Sequence, residues 1–171
     1  MARHQTSDTK APSTNLSRKD RALLLLEREG NRRLRSLGTV LYRLTGGRFT
    51  PRDRDVLLLT TRGRKSGREH TVLLQSFPDG ENNMVVVATN SGRSSHPDWY
   101  HNLKADPTAR VEIMDRTLRV RAEDLPDEEA AAFWPRILRR APSYTRYREA
   151  ARRDIPLVRL VTLGRIEGTR P

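Results

Sequence analysis

Apolar residues recur along this chain with two different periods, and each period predicts a different kind of element. A helical period covers residues 32–44, and a shorter apolar run suggests a helix over residues 18–29. Residues 1–15 are polar and show no period, which is typical of a disordered segment. We therefore expect a disordered basic leader over 1–15 and a helical extension over 16–54. The apolar stripe of the second helix would consist of Leu34, Leu37, Val40, Leu41 and Leu44.

From residue 55 onward the pattern changes to short runs of the strand type. Strands are predicted at 56–61, 70–77, 84–89, 109–114, 118–123 and 155–163, with the fourth and fifth forming a hairpin. A helix over 126–140 begins with proline and acidic residues, and Pro135 is expected to kink or split it. Five to six mainly antiparallel strands with inserted helices predict an α+β fold, a small barrel over residues 55–171.

The loop between the first two predicted strands carries the strongest chemical signal. It reads Arg62-Gly63-Arg64-Lys65-Ser66-Gly67-Arg68, with four cationic side chains in seven residues. Glycines let the backbone approach an anion, and the cations supply charge, so the loop is a candidate anion receptor. The alternative is a solvated turn in a very basic protein. A P-loop and a Rossmann fingerprint are excluded, because the spacing differs and the next element reads as a strand instead of a helix.

Four blocks in order extend this signal: L-L-L-T-T-R-G-R-K-S-G-R, T-V-L-L-Q-S-F-P-D-G, V-V-V-A-T-N-S-G and H-P-D-W-Y-H-N-L-K-A-D-P. Together they resemble the deazaflavin-dependent nitroreductase and quinone reductase family. The resemblance covers about residues 56–160, including A-P-S-Y-T-R-Y and I-P-L-V. It implies a split β-barrel that uses coenzyme F-420, an 8-hydroxy-5-deazaflavin with a phosphate and an oligoglutamate tail. The implied reaction is hydride transfer to a quinone, a nitroaromatic or a similar electron-poor acceptor.

The resemblance also implies roles for particular residues. The residues expected to hold the cofactor's phosphate and carboxylates are Arg62, Arg64, Lys65, Ser66, Gly67, Arg68 and His70. Those expected beside the deazaflavin ring are Val87, Ala88, Asn90, Gly92, Trp99 and Asn102. Candidate proton donors to the acceptor are Tyr144, Tyr147 and Thr89. Trp99 could instead be a packing anchor, and the tyrosines ordinary half-buried residues.

Departures from the family pattern bear on the acceptor. Asn90 stands where some members have a cation, and Ala141 stands where some have an aromatic residue. These differences favour a quinone over a nitroimidazole as the natural acceptor. An FMN-binding split-barrel oxidoreductase is the alternative within the same fold.

Composition excludes several other classes. The chain has no cysteine, which rules out disulfides, Cys-based metal centres and a thiol nucleophile. The four histidines have no metal-ligand spacing, so no metal site is expected. There is no signal peptide and no run of about 18 apolar residues. We therefore expect a cytoplasmic protein.

The net charge of +12 is concentrated at the N-terminal end, where residues 1–54 carry 13 Lys and Arg against 5 Asp and Glu. A basic amphipathic extension can pack on its own barrel, which is the favoured interpretation, or can bind an anionic membrane from the inner face. A non-catalytic module that binds membrane or nucleic acid is a third class of function. Nucleic acid is not expected, because no recognised binding module is present. The sequence does not predict an oligomeric state.

Overall fold

The computed structural model describes Tyr42, Leu44 and residues 55–166. In this part of the chain, three helices are inserted among the strands of a single sheet. The strands are β1 (Val56–Arg62), β2 (Glu69–Asp79), β3 (Asn83–Val87), β4 (Thr108–Ile113), β5 (Arg116–Asp124) and β6 (Leu157–Arg165). The helices are α1 (Asp98–Ala105), α2 (Asp127–Arg140) and α3 (Tyr144–Ala151), and a short 3-10 turn covers Asn90–Gly92.

The six strands close into a barrel in the order β1-β2-β3-β6-β5-β4. Every pair is antiparallel, and β4 closes the barrel on β1 with Val111 opposite Leu59. The predicted hairpin forms as β4 and β5, with Ile113 opposite Arg116. The prediction of an α+β barrel of antiparallel strands is confirmed.

The core has two parts, on either side of the barrel wall. Leu57, Leu59 and Val86 belong to the interior cluster, whereas Val85 and Val87 pack outside the barrel with α2 and α3. Successive strand residues point to opposite faces, so residues 84–87 of β3 are all apolar because both faces of this stretch are buried. This double burial holds the end of β3 in a fixed position, next to the loop that follows it.

The prediction for α2 was that Pro135 kinks or splits the helix. Pro135 does not split the helix, which runs unbroken from Asp127 to Arg140. Proline removes one backbone hydrogen bond from a helix interior. Burial of Phe133 and Ile137 against the outside of the barrel offsets that loss, because both side chains lie in the outer core cluster.

Only a small part of the N-terminal extension is described. Tyr42 and Leu44 are helical, within the second predicted helix, while the leader and the first predicted helix lie outside the described residues. The Tyr42 hydroxyl donates to the carbonyl of Val56 at 3.1 Å and accepts from the N–H of Met114 at 3.1 Å. Tyr42 is therefore attached to the end of the barrel where β1 begins. In the described residues, no helix is both long and apolar enough to cross a membrane.

Candidate cofactor site

A cavity of about 850 Å³ opens between the basic loop and the loop that follows β3. This volume lies in the usual range for small-molecule and cofactor sites. Its walls come from residues 63–66 of the basic loop, residues 70–74 of β2, Val87, most of the segment 89–97 and three residues of α1. The cavity is thus formed mainly by the basic loop and the segments that follow β3.

The basic loop is a tight turn closed by its own backbone. The Gly63 N–H donates to the Arg68 carbonyl at 2.8 Å, and the Gly67 N–H donates to the Gly63 carbonyl at 2.7 Å. Gly67 has a φ of 67°, a left-handed conformation that favours glycine. A Cβ on Gly63 would lie 2.7 Å from Ser66 Oγ and 2.8 Å from the His70 ring. The glycines therefore allow the turn to close beneath the side chains of Ser66 and His70.

Asn102 attaches this loop to α1. Its Oδ1 accepts from the backbone N–H of Arg64 at 3.1 Å, and its Nδ2 donates to Thr61 Oγ1 at 3.1 Å. The side chain is buried, with 5% of its surface exposed. A buried amide with both ends bonded is costly to disturb. Asn102 therefore fixes the position of the loop backbone from beneath.

The loop after β3 has an unusual backbone. Asn90, Ser91 and Gly92 have φ values of 50°, 54° and 71°, all left-handed. The Asn90 Nδ2 donates to the Ser95 carbonyl at 3.0 Å and so closes the loop. Non-glycine residues in this conformation carry strain, which persists only where the surroundings hold it in place.

Two contacts on the outer side of this loop hold it in place. A Cβ on Gly92 would lie 2.9 Å from the Cβ of Ala150, so α3 packs directly on the turn. The second contact is Arg153, a residue that the sequence analysis did not single out. All three of its guanidinium nitrogens donate, at 2.8 to 3.2 Å, to Ala88 O, Thr89 O, Arg93 O, Ser95 O, Asp154 O and His96 Nδ1.

The pKa of His96 depends on its burial and on the charges near its ring. Burial lowers the pKa of His96 below its usual value, and the positive charges of Arg153 and His101 lower it further, while Asp124 opposes them. The neighbouring Tyr100 donates its hydroxyl to Asp124 at 3.0 Å. Burial and this bond raise the pKa of Tyr100 to about 12. Tyr100 therefore stays protonated at neutral pH.

The structure brings most of the predicted site residues together. Nine of them line the cavity: Arg64, Lys65, Ser66, His70, Val87, Thr89, Asn90, Trp99 and Asn102. Trp99 is also buried in the interior core, so its packing role and its place in the cavity wall coexist. In the described residues, neither Arg64 nor Lys65 has an acidic side chain within salt-bridge distance. Both cations are exposed and face an open cavity.

The other predicted residues do not line the cavity. Arg62, Gly67 and Arg68 belong to the basic loop and lie outside the lining, and Gly92 packs against α3. Ala88 also lies outside the lining, and both of its backbone polar groups have partners within the protein. Its N–H donates to the Pro156 carbonyl at 3.0 Å, and its carbonyl accepts from Arg153 at 2.9 Å.

The two predicted tyrosines lie on α3, outside the cavity lining. Tyr144 and Tyr147 share a face of α3, as their spacing indicated, with ring centroids 5.6 Å apart. That face packs into the outer core cluster, where Tyr144 meets Phe77, and neither tyrosine lines the cavity. The spacing was interpreted correctly, but the direction of the helix face depends on packing that spacing does not reveal. Of the three candidate donors, Thr89 alone contributes to the cavity wall.

The chain is similar to known proteins in both sequence and structure. The profile of the family described as "F420H(2)-dependent quinone reductase" matches residues 26–162. The "F420H(2)-dependent quinone reductase Rv1261c" of Mycobacterium tuberculosis (strain ATCC 25618 / H37Rv) is 33% identical over 139 residues, covering 78% of this chain and 93% of that protein. The match from residue 26 places part of the helical extension within the family pattern, further than the expected start near residue 56.

Two solved structures are similar as well. One, titled "Structure of F420-H2 Dependent Reductase (FDR-A)", has a TM-score of 0.56 and 33% identity, and the match covers 63% of this chain and 94% of that one. Another, described as a domain-swapped dimer, has a TM-score of 0.58 and 31% identity, with coverage of 73% and 93%.

The closed antiparallel barrel and these structural matches define the class as split β-barrel reductases. Within this class, the chain belongs to the F420H(2)-dependent quinone reductase family. It is an F-420-dependent oxidoreductase, which confirms the resemblance drawn from the sequence, and the FMN alternative is not needed.

The residues of the cavity fit this cofactor. One end presents the exposed cations Arg64 and Lys65, which suit the anionic phosphate and glutamate tail. The remaining wall includes Val87 and Trp99, which offer apolar surface to a flat ring.

Proposed function

We propose that this protein transfers a hydride from reduced F-420 to a quinone, with electron-poor nitroaromatics as secondary acceptors. The observation that carries the proposal is the division of one cavity into a cationic end and a less polar end. Arg64 and Lys65 lie at the first, and Val72, Leu73 and Leu74 of β2 line the wall beyond His70. Such a cavity suits a polyanionic cofactor beside a mainly apolar acceptor.

The chain's own residues would act chiefly by binding and orientation. Arg64, Lys65 and Ser66 hold the anionic tail, and Asn102 keeps their loop in place. Val87 and Trp99 form the surface against which a flat ring packs. When bound, the reduced deazaflavin supplies the hydride, since such chemistry belongs to the cofactor.

Thr89 is the described residue that we propose as the group near the acceptor oxygen. Its side chain is half-buried in the cavity wall, two residues after the end of β3. Reduction of a quinone by two electrons adds a hydride and a proton, which together give the hydroquinone. A hydroxyl donor next to the developing oxyanion would stabilise that charge. Tyr144 and Tyr147 are not proposed for this role, because they lie outside the cavity wall.

The test is a comparison of acceptors. Reduced F-420 and the purified protein are mixed with a naphthoquinone, a benzoquinone or a nitroimidazole, and the return of oxidised F-420 is followed by absorbance. We expect faster turnover with the quinones than with the nitroimidazole. If no acceptor accelerates oxidation above the protein-free rate, the proposed reaction is wrong.

We further propose that the protein acts in the cytoplasm and that the basic segment 16–54 brings it to the inner face of the membrane. The support is its excess of positive charge together with the lipid solubility of many quinones. Flotation with vesicles of anionic and of neutral lipid would test this proposal. Binding to the anionic vesicles that is lost in high salt supports the proposal. A protein that floats with neither kind of vesicle contradicts it.

A further inference from the structure

The loop between β3 and α1 contains an imidazole whose hydrogen-bonding state is set by a neighbour. The Arg153 Nη1 lies 2.9 Å from the Nδ1 of His96. A guanidinium has donors and no acceptor, so the His96 Nδ1 must accept. The proton of a neutral imidazole is then on Nε2. His96 belongs to the cavity wall, and among the described residues no hydrogen-bond acceptor is found for its Nε2.

We propose that His96 is a cofactor-binding residue that donates its Nε2–H to an oxygen of the deazaflavin ring, and that Arg153 is the positioning residue that fixes this tautomer. The inference rests on the proposed function, because it places the cofactor ring in this cavity. It adds an imidazole donor for the ring to the cations and hydroxyl groups already placed in this wall.

The position of Arg153 makes this arrangement rigid. The same guanidinium that bonds His96 also donates to four carbonyls of the loop, those of Ala88, Thr89, Arg93 and Ser95, and to the carbonyl of Asp154. The ring of His96 packs on Tyr100 with centroids 5.0 Å apart. Turning the ring over would place a carbon at the position of Nδ1 and would lose the bond to Arg153. The ring is therefore held in one orientation before any ligand binds.

The charges around the ring favour the neutral form. The groups that face His96 are Arg153, His101, Asp124 and the protonated Tyr100, and burial with the two positive neighbours lowers the pKa of His96. A proton on Nδ1 would point at the guanidinium and break the anchor. Acidification should therefore weaken binding as pH falls through the lowered pKa. Simple attraction of a histidinium for an anionic cofactor predicts the opposite direction.

The first experiment reads the tautomer without any cofactor. The full chain is labelled with 15N-histidine, and the ring nitrogen shifts of its four histidines are recorded against pH. His96→Gln assigns the His96 signals. We expect a protonated Nε2 and an unprotonated Nδ1, with a pKa below the usual histidine value. A protonated Nδ1 or an averaged mixture at neutral pH would overturn the role of Arg153.

Arg153→Met should raise the pKa of His96 and produce a mixture of tautomers. The matched control is Arg152→Met, which removes the same charge from the adjacent exposed residue. Arg152→Met should leave the nitrogen spectrum of His96 unchanged. Equal effects of the two variants would show that only general charge matters. If Arg153→Met does not fold, the wild-type spectrum and the His96 variants still decide the proposal.

The second experiment separates the two ring nitrogens by substitution. Asn places an amide near the Nδ1 position and keeps an acceptor for Arg153, whereas Gln places an amide near Nε2 and keeps a donor toward the cavity. In titrations with oxidised F-420, His96→Asn should weaken binding about tenfold, because a bond to a ligand is lost. His96→Gln should bind nearly as well as wild type and lose the acid-induced weakening. Thermal melting checks that both variants fold.

The outcomes separate this inference from the proposed function. Unchanged F-420 affinity in His96→Asn overturns the donor role while leaving the cofactor site intact. Failure of the wild-type protein to bind F-420 overturns the cofactor assignment and the donor role, while the tautomer spectrum still decides whether Arg153 fixes His96.

Discussion

Asn102 shows how one buried side chain can position a charged loop. The basic loop has few contacts of its own beyond its internal turn, and its cations are exposed. The amide of Asn102 connects the Arg64 backbone to Thr61 at the end of β1. The location of the cations therefore depends on a residue that carries no charge.

Asn102→Ala should test this dependence. Removing the amide leaves the Arg64 N–H and the Thr61 hydroxyl without their partner, at a cost of about 1–3 kcal/mol for buried groups. We expect weaker F-420 binding together with a modest loss of stability, measured by fluorescence titration and by urea unfolding. Normal affinity in a destabilised variant would limit Asn102 to a structural role.

Tyr100 gives a prediction for the alkaline range. Its pKa is raised to about 12 from an ordinary value of 10, so the folded state holds the proton more tightly than the unfolded state. Its contribution to stability is complete below pH 10 and is lost as pH rises toward 12. Tyr100→Phe should therefore flatten the decline in the free energy of unfolding over that interval, measured by urea unfolding at several pH values. A decline as steep as that of wild type would contradict this assignment.

At the scale of elements, the segments that could be predicted are those whose signal is local. Apolar runs and turn residues predicted β1 over 56–61 and β6 over 155–163, within two residues of the observed ends. The basic loop was recognisable because its cations and glycines are adjacent in sequence. Arg153 was not, because its partners in the segment after β3 lie 57 to 65 residues away and become neighbours only when β3 and β6 pair.

The tyrosines of α3 show a second feature that the sequence could not predict. Their spacing predicted a shared helical face, which is observed. Which way that face points is decided by Phe77 on β2 and by the close approach of Ala150 to Gly92. These are contacts between distant segments, and the period of a single helix contains no information about them.

Arg64→Ala combined with Lys65→Ala tests the basic loop as an element. Loss of two charge-assisted contacts should weaken F-420 binding at least about tenfold at low salt. The salt dependence should also become shallower, because fewer charges face the cofactor. The matched control is Arg116→Ala with Arg119→Ala, which removes the same charge from exposed positions outside the cavity lining. Equal losses of F-420 affinity in both double variants would show that only the net charge of the protein matters.

At the scale of the whole molecule, strand β1 lies between the N-terminal extension and the cavity. Tyr42 lies at the start of β1, and the basic loop lies at its other end. The extension is therefore attached to the barrel at the opposite end of this strand from the cations. Leu44, two residues beyond Tyr42, is 79% exposed. Packing on the barrel at Tyr42 thus coexists with apolar surface that faces outward.

Tyr42→Phe should measure this attachment. The change removes the hydroxyl that bonds Val56 and Met114 and should lower the free energy of unfolding by about 1–2 kcal/mol. Because these contacts lie away from the cavity, F-420 affinity should not change. Urea unfolding and the cofactor titration, performed on the same preparation, give both values. An unchanged unfolding free energy would show that the hydroxyl contributes nothing to the attachment.

The central claim is that the basic cavity holds F-420. It is tested most directly by titrating the purified protein with oxidised F-420, and in parallel with FMN, at a low and a high salt concentration while fluorescence is followed. The account predicts saturable binding of F-420 that weakens in high salt and exceeds the binding of FMN. Equal binding of both, or F-420 binding that does not respond to salt, would contradict it.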